Sequence, residues 1–202
     1  VFKPSPAIGP LGVTFVGQKI GKREQFVSYI KSKGMNVEAF GQGWNNGRVS
    51  LPKMVEIFSS SKINLNFVQI PFIEIRKIHK IIAKLFITKS AGKFVLEVGN
   101  FKDNVSSLLA KRSLMIKGRN FEVPACGGFL LTGYADNLKD YYVPGKEIVV
   151  FENLDDLVDK CRYYLEHEDE RGRIARAGYE RTIAEHTYEH RFREIFRQLE
   201  LE

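Results

Sequence analysis

Cysteine and tryptophan are scarce in this sequence, with two cysteines and one tryptophan among 202 residues. Cys126 and Cys161 cannot form the disulfide framework that stabilises small secreted domains, so we expect a reducing, cytoplasmic environment. Long apolar runs are also missing, since none approaches the ~18 residues needed to span a bilayer. The N-terminus lacks the basic region followed by an apolar stretch that marks a signal peptide. The sequence therefore favours a cytoplasmic globular domain over a secreted or membrane-spanning one.

Acidic residues are outnumbered, with 24 Asp and Glu against 31 Lys and Arg, which gives a net charge of +7. This balance favours an anionic partner, such as a nucleotide, a nucleic acid or a membrane surface. The basic residues are spread widely and no known DNA- or RNA-binding motif is present, so we expect no nucleic-acid partner. His186 and His190 have zinc-ligand spacing, but no further ligand pattern completes a known site, so we expect no metal.

Hydrophobic patterning predicts alternating strands and helices. Prolines and glycines in residues 1–12 indicate a linker or hinge, which suggests that the chain begins at a domain boundary. The remaining chain, 13–202, opens with strands predicted at 13–17, 36–40 and 63–67 and helices at 22–33 and 50–60. This order predicts an α/β fold, a Rossmann-like and mostly parallel sheet with helices on both faces. A strand over 147–151 and three C-terminal helices complete the prediction.

The turn after the first strand is a candidate phosphate site. Ligands of open α/β sheets bind at the carboxyl ends of the strands, where Gly17, Lys19 and Arg23 lie. Glycine permits close approach of the backbone, and the two cations offset phosphate charge. The chain has no G-x-G-x-x-G pattern, so an ordinary turn with solvated charges is the alternative.

A second candidate site is the segment from Lys117 to Thr132, which predicts a short helix followed by a buried strand. Asn120 suits the N-cap position, and Gly127 is expected to end the helix. Because Lys117 and Arg119 stand before the helix start, an anion would fit there. The carboxylate of Glu122 suits a vicinal diol such as a ribose. The alternative is an ordinary capped helix with its charges in solvent.

The stretch 70–116 interrupts the α/β pattern and is interpreted as a helical insertion and possible lid. Its part 74–89 has isoleucines at helical spacing and a basic face, which suits peripheral contact with an anionic membrane. The alternative is a helix packed on its own domain with its lysines in water. Cys126 lies beside the candidate anion site, but no nucleophile signature accompanies it, and we interpret it as a small buried residue.

The segment Arg-Asn-Phe-Glu-Val-Pro-Ala-Cys-Gly-Gly, 119–128, resembles the F-E-x-x-A-C-G segment of nucleotide-sugar glycosyltransferases with the GT-B fold. More narrowly, K-G-R-x-F-E-x-P-x-C-G-G-F-L-L-T is typical of the CgeB-like spore maturation glycosyltransferases. The closing segment Tyr-Glu-His-Arg-Phe, 188–192, is similar to the family's H-T-[WY]-E-x-R. The resemblance runs from about Val13 to the C-terminus. It implies the C-terminal, donor-binding half of the enzyme, with an N-terminal Rossmann-like acceptor domain expected in the full-length protein.

The resemblance also implies roles for individual residues. Glu122 would bind the ribose of a nucleoside diphosphate sugar, Arg23 would contact the leaving phosphates, and no bound metal or other cofactor would be required. Loops at this sheet edge would hold the base, where Trp44 is either a stacking partner or a packing anchor. Many relatives carry a second glutamate that touches the donor sugar, and Leu114 stands at that position here.

No catalytic residue is assigned from the sequence. The complete set of predicted nucleotide-sugar-binding residues is Gly17, Lys19, Arg23, Lys117, Arg119, Asn120, Phe121, Glu122 and Gly127. The expected function is the donor-binding domain of a hexosyltransferase-like enzyme, which stabilises the leaving diphosphate while the sugar passes to an acceptor hydroxyl. The alternative is a non-catalytic interaction or membrane-surface module of the same fold.

Overall fold

A computed structural model describes residues 2–5, 9, 11–68, 87–90, 93–96 and 116–199. Contacts divide the chain into two compact units, one of residues 1–68 with 116–202 and the other of residues 69–115. In the second unit the described residues form an antiparallel hairpin. Seven strands are described: β1 Leu11–Val16, β2 Val37–Phe40, β3 Ser61–Asn66, β4 Ile87–Ser90, β5 Lys93–Leu96, β6 Leu130–Gly133 and β7 Val149–Phe151.

The first unit is built on a parallel sheet with the strand order β2-β1-β3-β6-β7. Because all pairs are parallel, the carboxyl ends of the strands lie along one edge. The chain passes from β1 to β2 on one side and then returns to β3 on the other side of β1. The boundary between β1 and β3 is therefore a topological switch point, the position where open α/β sheets leave a crevice for a ligand.

Helices cover both faces of this sheet. The helices are α1 Arg23–Ser32, α2 Leu51–Ser60, α3 Arg119–Ala125, α4 Leu154–Glu166, α5 Glu168–Glu185 and α6 Tyr188–Gln198. On one face α1 meets α4, where the Tyr29 hydroxyl donates to Asp155. On the other face α2 meets α3, where Ser59 Oγ donates to the Cys126 carbonyl at 3.0 Å. The predicted α/β fold class, with a parallel sheet and helices on both faces, is confirmed.

Local sequence signals explain most element boundaries. Ser50 and Asn153 cap α2 and α4 by accepting hydrogen bonds from backbone N–H groups in the first turn. Thr187 caps α6 in the same way. Gly127 has a φ of 70° and follows α3 in the left-handed conformation that ends many helices. The hydrophobic core includes the centre of the sheet, where the centres of the buried Phe15 and Phe67 rings lie 4.6 Å apart.

Helix α6 differs from the others because none of its residues is buried. Its exposed apolar side chains, with that of the residue that follows it, are Tyr188, Phe192, Ile195, Phe196 and Leu199. The spacing of these residues along the sequence is that of a helix face that packs against another surface. In the described part of the chain they instead remain open to solvent.

Three predictions need correction. Helix α3 begins at Arg119 after an N-cap at Gly118, so Asn120 is a helical residue and not the cap. Strand β1 begins at Leu11, which shortens the predicted linker. The predicted basic helix over 74–89 is wrong at its end, because 87–89 belong to β4. Its remaining residues lie outside the described part, as does Leu114.

Candidate functional site

The turn after β1 is fixed by contacts to its backbone. The Gly17 N–H donates to the Phe40 carbonyl at 2.8 Å, and the Trp44 indole N–H donates to the Gly17 carbonyl at 2.8 Å. A Cβ on Gly17 would lie 2.8 Å from the Phe15 ring and 3.4 Å from Arg23 Nη1. A side chain at Gly17 would have to displace the Phe15 ring, and the bare glycine leaves the backbone of the turn open to close approach by a ligand.

Arg23 opens α1 and lies over this turn. Its Nη1 donates to the Gln18 carbonyl at 3.0 Å, and its guanidinium carbon is 5.5 Å from the centre of the Phe15 ring. Burial lowers the pKa of Arg23. The guanidinium still carries its charge at neutral pH, because an arginine remains protonated in proteins.

Arg119 reaches the same strand end from the other face of the sheet. Its Nε donates to the Val16 carbonyl at 3.3 Å, and its guanidinium carbon lies 5.4 Å from the centre of the Phe58 ring. Burial lowers the pKa of Arg119, and the neighbouring positive charge of Arg23 lowers it further. The structure thus brings two partly buried cations together at the carboxyl end of β1.

Glu122 is the carboxylate at this cluster. It forms an ion pair with Arg119 Nη1, and its side chain is 18% exposed. A Cβ on Gly118 would lie 3.1 Å from Glu122 Oε1, so the carboxylate lies close over the backbone that leads into α3. Within the described residues Glu122 is the one carboxylate paired with either arginine, which leaves the cluster with a surplus positive charge.

The lysines of the predicted site occupy its margins. Lys19 pairs with Glu24 at 2.7 Å and places its ammonium 5.6 Å from the centre of the Trp44 ring. Lys117 is exposed immediately before α3. Trp44 has the contacts of a packing anchor, because its N–H is bonded and its ring meets Phe15 edge-on at 6.0 Å. We therefore favour the packing interpretation of Trp44 over base stacking.

Three residues of the predicted set lie outside the cluster, namely Phe121, Gly127 and the fully buried Asn120. Phe121 points toward the C-terminal helices, with its ring 5.3 Å from that of Tyr141 and 5.7 Å from that of His186. The guanidinium carbon of Arg191 in α6 lies 5.6 Å from the centre of the Phe121 ring. Gly127 lies at the opposite end of α3 from Arg119, where it ends the helix. The structure gives Phe121 and Gly127 packing or backbone roles.

Sequence reasoning missed a buried polar network beneath α3. Asn66 Nδ2 donates to Asn120 Oδ1 at 2.9 Å and to Thr132 Oγ1 at 3.1 Å, and Asn120 Nδ2 donates to Thr132 Oγ1 at 3.3 Å. Asn120 and Thr132 have no exposed surface, and Asn66 is 4% exposed. The sequence signal for this network was Asn66, a polar residue at the end of β3.

His186 and His190 make hydrogen bonds within the chain, and Cys126 is a buried free thiol. His186 Nε2 contacts the Tyr141 carbonyl at 2.7 Å, and His190 Nδ1 takes part in the capping box of Thr187. Among the residues that the structure describes, no group of three or more His, Cys, Asp or Glu is placed to hold a metal ion. Burial raises the pKa of the Cys126 thiol to about 11, so the thiol stays protonated at neutral pH.

None of the described helices is long and apolar enough to cross a membrane.

Comparison with known proteins gives a family and a set of structural neighbours. A family model described as glycosyl transferase-like matches residues 22–197. No curated protein sequence matches the chain.

Solved structures match its fold at low sequence identity. TarM matches with a TM-score of 0.58 and 10% identity, over 98% of this chain and 37% of TarM. Sucrose-phosphate synthase from Thermosynechococcus elongatus matches with a TM-score of 0.61 and 12% identity, over 98% of this chain and 49% of the synthase. The C-terminal domain of LpcC, a group 1 glycosyl transferase of Francisella tularensis, matches with a TM-score of 0.53 and 10% identity, over 93% and 97% of the two chains. This chain thus spans less than half of the first two proteins.

Proposed function

This chain belongs to the glycosyl transferase-like family and has the fold of a GT-B glycosyltransferase domain, and we propose that it binds the nucleoside diphosphate sugar donor. In this proposal the chain is the C-terminal half of a CgeB-like, hexosyltransferase-type enzyme. It holds the donor while the sugar passes to an acceptor hydroxyl. The donor is a substrate, and its diphosphate is the leaving group.

The observation that carries the proposal is the convergence of Arg23 and Arg119 at the carboxyl end of β1. Two like charges in a partly buried site repel each other, and the pKa of Arg119 is lowered first by burial and further by this repulsion. The Glu122 carboxylate compensates one positive charge. A diphosphate placed at this edge would compensate the second and accept several charge-assisted hydrogen bonds. The site also lies at the switch point of the sheet, where a ligand is expected.

This arrangement supplies the electrostatic part of glycosyl transfer. As the bond between the sugar and the diphosphate breaks, negative charge develops on the leaving phosphate oxygens. Guanidinium groups that are already fixed by Val16, Gln18 and the aromatic rings can stabilise this charge without reorganisation. In this proposal Glu122 accepts hydrogen bonds from the ribose hydroxyls, the role that the family resemblance implies.

The acceptor side of the reaction requires a partner domain. We propose that an N-terminal Rossmann-like half completes the enzyme, and the exposed apolar side chains of α6 support the presence of a further surface. We place the reaction in the cytoplasm, because both cysteines are free thiols and a reducing compartment keeps them so.

The proposal is tested by calorimetric titration of the chain with UDP, GDP, ADP and TDP. We expect one of these nucleotides to bind, and we expect Arg119→Gln to weaken it by about 10- to 100-fold, the cost of losing a charge-assisted hydrogen bond. Arg193→Gln is the matched control, because it removes one positive charge from exposed α6. Equal losses in both variants would indicate nonspecific attraction to a basic protein. Absence of binding by all four nucleotides would contradict donor binding by this chain and favour a non-catalytic interaction module.

A further inference from the structure

The polar network beneath α3 joins three separate parts of the chain. Asn66 ends β3, Thr132 lies in β6, and these two residues are paired in register in the sheet. Asn120 lies in the first turn of α3 and inserts its amide between them. Its Oδ1 accepts from Asn66 and also from the backbone N–H of Lys117 at 3.1 Å. The network therefore ties the start of α3 to the carboxyl ends of two central strands.

The residues next to Asn120 belong to the candidate site. Arg119 precedes it directly, and Glu122 follows within the same turn. A rotation or shift of this turn would change the distance of Arg119 from the Val16 carbonyl, and with it the spacing between Arg119 and Arg23. Binding sites keep productive geometry only when neighbouring hydrogen bonds fix the side chains that contact the ligand.

We propose that Asn66, Asn120 and Thr132 are positioning residues that set the nucleotide affinity of the site through the first turn of α3. This inference rests on the proposed function for its ligand, but its geometric content concerns the chain alone. All three side chains are buried beneath α3, so their proposed role does not involve direct contact with phosphate or ribose. They act by holding Arg119 and Glu122 over the switch point.

A second buried network supplies a matched control. Thr14 Oγ1 donates to Ser61 Oγ at 2.8 Å and to Asn64 Oδ1 at 3.2 Å, and Thr14 and Asn64 are paired in register. Thr14 and Thr132 are both fully buried. The Thr14 network extends to the carbonyls of Ile57 and Phe58 at the end of α2 and does not include the first turn of α3. Loss of its hydroxyl should therefore destabilise the fold without moving Arg119.

The experiment compares Thr132→Val with Thr14→Val by UDP calorimetry and by amide hydrogen exchange. Thr132→Val removes the acceptor of Asn120 Nδ2 while keeping the side-chain shape. We expect UDP to bind about tenfold more weakly, the order of effect that supporting partners have on the groups they orient. The amides of 117–122 should exchange faster, with Lys117 as the direct reporter. Thr14→Val should keep UDP affinity within about twofold, because its network meets the site only at the backbone carbonyl of Phe58 and bonds no residue in the first turn of α3.

Thr132→Ser retains the hydroxyl and should restore both UDP affinity and slow exchange. Equal effects of Thr132→Val and Thr14→Val on affinity and on the 117–122 amides would overturn the inference and leave a structural role only. If the unchanged chain binds no nucleotide, the proposed function fails, and the exchange data still decide the positioning role. Faster exchange of 117–122 in Thr132→Val alone would then support it, and unchanged exchange would overturn it.

Discussion

Glu122 has two competing partners in the proposed site, and this competition can be measured. In the free chain its carboxylate pairs with Arg119, whereas in the nucleotide complex it would bond the ribose. Pyrophosphate presents the phosphates without the ribose, and UDP presents both. Substitution of Glu122 by alanine should therefore change the affinities for these two ligands in opposite directions.

The magnitude follows from the exposure of the pair. The Arg119 and Glu122 side chains are 30% and 18% exposed, so the ion pair stabilises by about 0.5–1 kcal/mol. Without this pair Arg119 is free for the ligand, and pyrophosphate should bind about two- to fivefold more tightly. UDP binding gains the same free energy from the freed Arg119. It also loses the hydrogen bonds of the ribose to the charged Glu122 acceptor, which contribute about 1.5–3 kcal/mol. The net result is UDP binding weakened by about 5- to 30-fold.

Calorimetric titrations of both ligands at one pH and one salt concentration provide the measurement, because salt screens anion binding. Glu24→Ala is the control, since Glu24 is also a first-turn carboxylate but pairs with Lys19 at the margin of the site. It should change UDP and pyrophosphate affinities by the same factor. If Glu122→Ala also changed both by one factor, or weakened pyrophosphate, the ribose role and the competition for Arg119 would be refuted.

Three further predictions concern the surroundings of the site. Gly41→Ala should destabilise by about 2–3 kcal/mol in urea unfolding, because its φ is 128° and a Cβ would lie 2.3 Å from the Gly17 carbonyl oxygen. Gly47→Ala, with a φ of 63° and open space, should cost only about 1–2 kcal/mol. The fluorescence of Trp44 should change as UDP binds, because its indole N–H is bonded to Gly17; an unchanged spectrum with calorimetrically detected UDP would contradict phosphate binding at this turn. Cys126 should resist thiol reagents until the protein unfolds. The pKa of the Cys126 thiol is about 11 in the folded chain, against an ordinary value of 9.0. Between pH 9.0 and about 11 the thiol of the unfolded chain ionises first, so the free energy of unfolding should fall in denaturant titrations as the pH rises.

The fold could be predicted from the sequence because its signals are local. Apolar runs of strand length, helical periodicity and capping residues each act within a few neighbours. Ser50 and Asn153 are residue types favoured at helix N-caps, and both cap their helices in the structure. The β1–α1–β2–α2–β3 order then leaves few topologies for a parallel sheet, so the fold class followed from local evidence.

The site was less predictable because side-chain direction depends on distant partners. Asparagine is a residue type favoured at helix N-caps, yet the side-chain amide of Asn120 points inward, where it accepts a hydrogen bond from Asn66, a residue 54 positions away. Phe121 adjoins the charged residues in sequence, but aromatic partners on the C-terminal segment turn it away from them. A sequence pattern assigns residues to one segment and does not reveal which side of that segment meets the ligand.

The pairing of Arg23 with Arg119 shows how topology creates a site that no segment contains. These residues are far apart in sequence and open helices on opposite faces of the sheet. They meet because β2 and β3 are added on opposite sides of β1, which brings the starts of α1 and α3 to the carboxyl ends of β1 and β3. Their mutual repulsion opposes folding, since each guanidinium is partly desolvated beside a like charge. Glu122 relieves only part of this repulsion. A ligand with two adjacent negative groups would face both guanidinium groups at once, so we expect a diphosphate to suit this edge of the sheet better than a neutral sugar.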